Sequence, residues 1–355
     1  MPFHLLPNEI ILQINDNLGR ANHRSMLART SRELFCLLQQ PLHQYNIDHQ
    51  HCSGLIWSVQ NQRVAKSIYF LGLPRMNVNS RDKDGCTPLH IAAMQENGHY
   101  MMRVLVTRKD INVNATDNSG RTPFSYAAAS NNILSLTMLL ERDDIDVNLQ
   151  DTNNESPLHF AVWSRDRCRV VKKILDDPRT LPNQESSDGD FPLSTVALIN
   201  DMKLLNVFMT AERTDINFDC QSHRGPSPLQ IALFYERENF ATQLLQVPGL
   251  NLNCVYYFRM TPLILAVYLR GLRFMRCLLR YPGIEFNHQD EFGKTAVMTA
   301  AQLKNIGALE LLLAKEEVDV NCRCVFGQTM LDYARSGDDP EVMSIIKASG
   351  RFKEL

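Results

Sequence analysis

Apolar residues along this chain fall into short bursts that recur on a fixed beat. A first burst, such as "LHIAAM" from Leu89 or "LILAVY" from Leu263, has the length and spacing of a short helix. A second, marked by the paired leucines at Leu139, Leu244, Leu278 and Leu312, begins about 17 residues after the start of its unit and has the same helical character. Polar residues then take over and close on a "V-N" or "I-N" pair, as at Asn114, Asn148, Asn217 and Asn321. A short hairpin-like segment follows before the next burst. The pattern predicts a helix, a helix and a projecting turn, repeated.

The start of each first burst sets the register. "TPLH" begins at Thr87, "TPFS" at Thr122, "SPLH" at Ser156, "FPLS" at Phe191, "SPLQ" at Ser227 and "TPLI" at Thr261. Degenerate copies begin at Thr295 and Thr329, and a weaker one, "SGLIWSV", at Ser53. From Thr87 the steps are 35, 34, 35, 36, 34, 34 and 34 residues, and nine units result. Thr or Ser supplies a hydroxyl to cap a helix, and Pro suits the first turn because it has no N–H to leave unbonded. Five residues after the cap stand Ala92, Ala127, Ala161, Val196, Ala232, Ala266, Ala300 and Ala334, with Ser58 in the first unit. Small residues there let neighbouring helices approach closely. The units at Phe191, Thr295 and Thr329 lack either the hydroxyl or the Pro and are expected to be less regular.

The recurrent T-P-L-H-x-A, matched at Thr87–Ala92 and with Ser at Ser156–Ala161, resembles the ankyrin repeat. The resemblance runs from residue 53 to 355. It implies an all-α fold, an ankyrin-repeat solenoid with β-hairpin fingers, whose inner helices and fingers form a concave binding face. The segment after the last unit, "GDDPEVMSIIKASGRFKEL", suits a polar C-terminal cap.

Residues 1–50 show no repeat. Leu6, Pro7, Glu9 and Ile10 open a stretch with Ile14 and Leu18 at helical spacing, and Leu27 begins a second stretch, "LARTSREL". This resembles an F-box, although a closing Leu-Trp is absent and Pro41-Leu42 stands near its place. The joined pattern is similar to fungal-type F-box/ankyrin proteins. That resemblance implies that Leu6, Pro7, Glu9, Ile10, Ile14, Leu18 and Leu27 dock the Skp-type adaptor of a cullin ubiquitin ligase, while the repeats hold an unknown target protein. The alternative is a plain ankyrin scaffold whose N-terminal helices only cap the repeats.

Composition narrows the function classes. A net charge of −2 offers no excess of basic residues for nucleic-acid phosphates or an anionic membrane surface. No leader-like or membrane-length apolar run is read, and nine cysteines without regular spacing suit a reducing compartment, cytoplasm or nucleus, and a monomer. Phosphate-binding glycine loops and nucleophile elbows are absent. His49–Cys52 and the Cys322/Cys324 pair lack partners at metal-ligand spacing, and His90 and His159 belong to the repeat motif. No cofactor, no metal and no enzymatic activity are expected.

One finger breaks the pattern. The third residue after the unit's Asn is usually acidic or polar (Asp82, Asp117, Asp151, Ser186, Asp290), and the sixth is usually Gly (Gly85, Gly120, Gly189, Gly293, Gly327). In one unit these become Tyr256 and Arg259, with Tyr257 and Phe258 between them. The fifth position turns aromatic there and stays so, at Phe258, Phe292 and Phe326. Stacking between fingers accounts for a Phe column, whereas a Tyr-Tyr-Phe-Arg tip has the composition of an interface anchor. Tyr256, Tyr257, Phe258, Arg259, Phe292 and Phe326 are therefore the expected partner-binding residues. The preceding finger, Asn217–Ser227, is two residues longer and is read as part of the same recognition region.

Overall fold

A computed structural model describes residues 53–73, 75–211 and 225–351. The expected adaptor-docking residues Leu6, Pro7, Glu9, Ile10, Ile14, Leu18 and Leu27 lie outside it, as does most of the longer finger at Asn217–Ser227.

Eighteen short helices occur among the described residues, in alternating inner and outer pairs. The first six are α1 (Ser53–Gln60), α2 (Val64–Leu71), α3 (Pro88–Met94), α4 (His99–Val106), α5 (Pro123–Ala129) and α6 (Ile133–Leu140). Next come α7 (Pro157–Val162), α8 (Arg167–Leu175), α9 (Pro192–Ile199), α10 (Met202–Thr210), α11 (Pro228–Phe234) and α12 (Glu238–Leu244). The last six are α13 (Pro262–Tyr268), α14 (Leu272–Leu278), α15 (Ala296–Gln302), α16 (Ile306–Leu313), α17 (Met330–Ser336) and α18 (Pro340–Ala348). The chain divides into two compact units, one running to Thr152 and including Trp163–Val170, the other comprising Asn153–Val162 and Val171 onward.

In the first unit α1 packs on α3 and α3 on α5, while α2 packs on α4 and α4 on α6. In the second, inner helices α7, α9, α11, α13, α15 and α17 pack each on the next, and outer helices α12, α14, α16 and α18 do likewise. Ala92 and Ala127 in the first unit, and Ala161, Val196, Ala232, Ala266 and Ala300 in the second, are wholly buried at these inner contacts. A larger side chain at that position would hold two helix backbones apart.

Hydroxyl caps start most inner helices. Thr122, Ser227, Thr261, Thr295 and Thr329 each accept a hydrogen bond from the N–H three residues on. The units at Thr295 and Thr329 are as regular as the rest, against expectation, because the hydroxyl satisfies the free N–H whether or not Pro follows it. Phe191 gives α9 no side-chain cap, yet the helix still runs eight residues.

The fingers are tight turns rather than β-hairpins, and no strand occurs among the described residues. The reason is a competing acceptor. Asp82 N–H donates to the Cys86 carbonyl, but the returning Cys86 N–H goes to the Asp82 carboxylate at 2.8 Å. The same exchange occurs between Asp117 and Arg121 and between Asp290 and Lys294. A side-chain oxygen thus takes the bond that would complete a strand pair.

Successive fingers are joined by backbone bonds. Asn118 N–H donates to Asp84 and Thr152 N–H to Ser119 in the first unit. In the second, Ser187 N–H donates to Asn153, Glu291 N–H to Phe258 and Val325 N–H to Phe292. The recurring Asn adds a two-way link: Asn287 Nδ2 donates to the Glu317 carbonyl at 2.8 Å, and its Oδ1 accepts from Asp319 N–H at 2.7 Å. At the C-terminal end the Arg351 guanidinium donates to the carbonyls of Leu313, Lys315, Glu316 and Val318, covering acceptors that the end of α16 leaves open.

Candidate functional site: an aromatic finger and its cavity

The finger between α12 and α13 differs from the others in its backbone. Tyr257, Phe258 and Arg259 have φ of +29°, +56° and +56°. Elsewhere the left-handed tip position is held by a single residue, Asn154 (+57°) or a glycine, as at Gly189 (+83°), Gly293 (+72°) and Gly327 (+74°). Glycine also permits close stacking, since a Cβ on Gly293 would lie 2.8 Å from Val325 N. Side chains in this conformation cost roughly 1 kcal/mol or more each, so the surroundings must hold the loop.

Four sets of bonds do so. Tyr256 has no carboxylate to divert the returning N–H, so Tyr256 and Met260 exchange both backbone bonds, at 3.2 and 2.9 Å. Gln230, buried on α11, donates from Nε2 to the carbonyls of Cys254 and Met260, both at 3.2 Å. Glu291 N–H donates to the Phe258 carbonyl at 2.8 Å. His288 Nε2 donates to the Arg259 carbonyl at 3.1 Å.

The rings stand against one another. Tyr257 and Phe258 meet edge to face at 4.3 Å, and Phe258 meets Phe292 of the next finger at 5.6 Å. Beneath them opens a cavity of about 240 Å³. Tyr257, Phe258, Met260 and Phe292 form its finger side; Ile264, Leu265 and Thr299 come from inner helices α13 and α15. Phe234 and Tyr268, at the ends of α11 and α13, complete the apolar wall. Its charged members are Asp290 and Lys294. Asp290 Oδ1 accepts from the N–H groups of Phe292 and Lys294 at 2.9 and 2.8 Å. Lys294 Nζ donates to Gln302 Oε1 at 2.9 Å and lies over the rings of Phe292 and Tyr333, 5.5 and 5.4 Å from their centres.

Of the residues expected from sequence to bind a partner, Tyr257, Phe258 and Phe292 come together at this cavity. Tyr256 is half-buried beside it, and Arg259 is exposed at the tip without lining it. Phe326 is 71 % exposed, and no ring of the described residues packs on it, so the expected stack ends at Phe292. Sequence reading missed Phe234, Tyr268, Asp290 and Lys294. A signal existed for two of them: the seventh residue after the cap reads Trp163, Leu198, Phe234 and Tyr268 in four consecutive units, large, apolar and exposed in each.

The motif histidines have structural work. Thr87 N–H donates to His90 Nδ1 at 3.0 Å, which leaves the ring proton on Nε2, facing the Arg121 carbonyl at 3.0 Å. Burial holds its pKa below the ordinary histidine value. His159 makes the same bonds to Ser156 and Asp190. Gln230 occupies this motif position in its own unit, where its Oε1 accepts from Ser227 N–H at 2.9 Å. Burial and the neighbouring Asp319 carboxylate push the Cys322 thiol up to about 11. Among the described residues no group of three His, Cys, Asp or Glu is placed to hold a metal.

Paired short helices stacked in register, with His90, His159 or Gln230 tying inner helices α3, α7 and α11 to the next finger, define a repeat scaffold. Residues 55–151 and 263–352 match ankyrin repeats in a three-copy form, and residues 139–196 match a many-copy form. The first match covers more than half of the chain, and the chain belongs to the ankyrin-repeat family. It is similar to Rabankyrin-5 of Homo sapiens, 39 % identical over 56 residues, which is 16 % of this chain and 5 % of that protein. The chain thus spans a small fraction of that curated relative's length. Its fold is also similar to the crystal structure of the ankyrin repeat domain of Bcl-3, described as a unique member of the IkappaB protein family. That likeness has a TM-score of 0.54 at 20 % identity and covers 65 % of this chain and all of that one. Ankyrin repeats form a protein-interaction scaffold, and no catalytic family is indicated. No helix among the described residues is long and apolar enough to cross a membrane.

Proposed function

We propose that the chain is a recruiting adaptor: the finger and inner-helix surface around Tyr257, Phe258 and Phe292 holds a target protein, and residues 1–50 dock a Skp-type adaptor of a cullin ubiquitin ligase. The observation that carries the first part is the exposed aromatic cluster. Tyr257 is 60 % exposed on a strained loop, beside a preformed apolar cavity. A folded protein rarely maintains such a patch without a partner to cover it. Support for the second part is the Leu6-Pro7-x-Glu9 opening and its helical continuation through Ile10, Ile14, Leu18 and Leu27. The mechanism is proximity, with the target tethered near the ligase and no covalent chemistry on this chain.

Co-purification of the full chain with a Skp-type adaptor and cullin tests the ligase part. A stable complex that Leu6→Ala with Pro7→Ala weakens is expected; no complex would sink it. Tyr256→Asp with Tyr257→Asn restores residues found in the other fingers. It should leave the fold intact and abolish target capture, and retained capture refutes the surface. One observation favours the plain-scaffold reading for the N-terminal segment. Trp57, Ile68 and Tyr69 are exposed on the first helix pair, large apolar side chains of the kind that a capping segment would cover. In that case the double alanine change lowers stability and leaves no adaptor binding to lose.

A further inference from the structure

We propose that the aromatic cavity takes an arginine side chain from a linear segment of the target protein, its guanidinium lying on the rings and donating to Asp290. The inference rests on the target-binding surface just described and names the chemistry that surface recognises.

Charge in the cavity is unevenly matched. The cavity has one ammonium and one carboxylate, and they stand in different conditions. Lys294 is satisfied within the protein, by Gln302 at 2.9 Å and by the faces of Phe292 and Tyr333. Asp290 is half satisfied. Its Oδ1 accepts two backbone bonds, and its Oδ2 has neither a hydrogen bond nor an ion pair among the described residues. A guest that fills this cavity must bring a donor for that oxygen, because desolvating an unpaired carboxylate oxygen is unfavourable. The donor must arrive on an apolar stem, because the walls are aromatic and aliphatic.

The rings select the donor's shape. Phe292 already carries a cation on its face in Lys294, so the wall tolerates positive charge. Phe258 and Phe292, with centres 5.6 Å apart, present flat surfaces on which a planar guanidinium stacks while its fork addresses a carboxylate. A leucine would fill the space and leave Oδ2 without a donor. A glutamate would place like charge against Asp290. A cavity of about 240 Å³ suits one long side chain of an extended segment rather than a helix face.

The test uses the full chain on an array of eleven-residue peptides with degenerate flanks and a fixed central Arg, Lys, Leu or Glu. Arginine-centred peptides should bind about tenfold more tightly than leucine- or glutamate-centred ones. Asp290→Asn keeps an Oδ1 for the two backbone bonds, so the finger persists, and it should bring the arginine peptides down to the leucine level. Asp82→Asn removes the same charge from a finger that does not line the cavity and should change nothing. Equal binding of lysine, preference for leucine or glutamate, no preference at all, or an arginine preference that survives Asp290→Asn would each overturn the proposal. Capture of the target separates this inference from the broader reading. If Tyr256→Asp with Tyr257→Asn abolishes capture and Asp290→Asn leaves it unchanged, the surface stands and the arginine assignment falls. If neither change affects capture, both fall.

Discussion

Replacing His90 by alanine and by glutamine should give very different proteins. His90 is wholly buried and makes three contacts: Thr87 N–H at 3.0 Å, Thr87 Oγ1 at 2.9 Å and the Arg121 carbonyl at 3.0 Å. Alanine leaves the Thr87 N–H without a partner, at about 1–3 kcal/mol for a polar group stranded out of water, and takes from the Arg121 carbonyl one of its two donors, the Asp117 N–H remaining. The loss at Arg121 is therefore small, and a total of about 2 kcal/mol is expected. Glutamine can restore both links, as Gln230 does in its own unit with Ser227 N–H and the finger carbonyls of Cys254 and Met260. His90→Gln should therefore cost under about 1 kcal/mol. Burial lowers the folded pKa of His90, so the unfolded chain binds its proton more readily. The histidine's contribution is fully present above an unfolded pKa of about 6.5 and is lost as pH falls from there toward the lower folded value. Urea denaturation at pH 7.5 and 5.5, with hydrogen exchange in α3 and α5 as the local readout, measures both effects. If glutamine at pH 7.5 costs as much as alanine, or keeps the full acid sensitivity, the hydrogen-bond account of this column is wrong.

Other positions give further expectations. Ala300→Leu, at a wholly buried contact between α15 and its neighbours, should destabilise by about 1–3 kcal/mol in the same assay. Loss of less than 0.5 kcal/mol would mean that the small-residue column is not a packing requirement. Asn287→Ala removes two exposed bonds between successive repeats and should cost about 1–2 kcal/mol; an unchanged unfolding curve would refute their contribution. Arg259→Gly relieves one left-handed side chain and should stabilise by about 0.5 kcal/mol after the entropy of glycine in the unfolded chain is counted. A clear loss of stability would show that the Arg259 side chain packs rather than strains.

The caps and the buried alanines were legible in sequence because each depends on residues a few positions apart, and the period because those positions recur every 34–36 residues. Thr295 and Thr329 show how far one residue carries: the hydroxyl capped its helix and the missing Pro did not matter. The hairpins were misread because the deciding competition is between a carbonyl and a carboxylate at one residue, Asp82 or Asp290, which polarity patterns do not weigh. The cavity was hidden for another reason. Phe234 comes from one unit and Tyr268 and Lys294 from opposite ends of the next, and they converge only once the helices stack. Phe292 and Phe326 occupy one column and each follows an aromatic finger, yet only Phe292 meets the ring before it; the Phe292 ring faces Phe258 and carries Lys294, while Phe326 turns to solvent.

Among the described residues the backbone bonds between fingers run one way in each unit, the later finger donating to a carbonyl of the one before it, as Asn118 does to Asp84 and Val325 to Phe292. Such a ladder has a growing end. The Phe326 carbonyl accepts no hydrogen bond among the described residues, and its ring stands open to solvent above it. A further repeat grafted after residue 351 would find its backbone acceptor already in place, so the array can be lengthened on that side without redesigning any finger it now has.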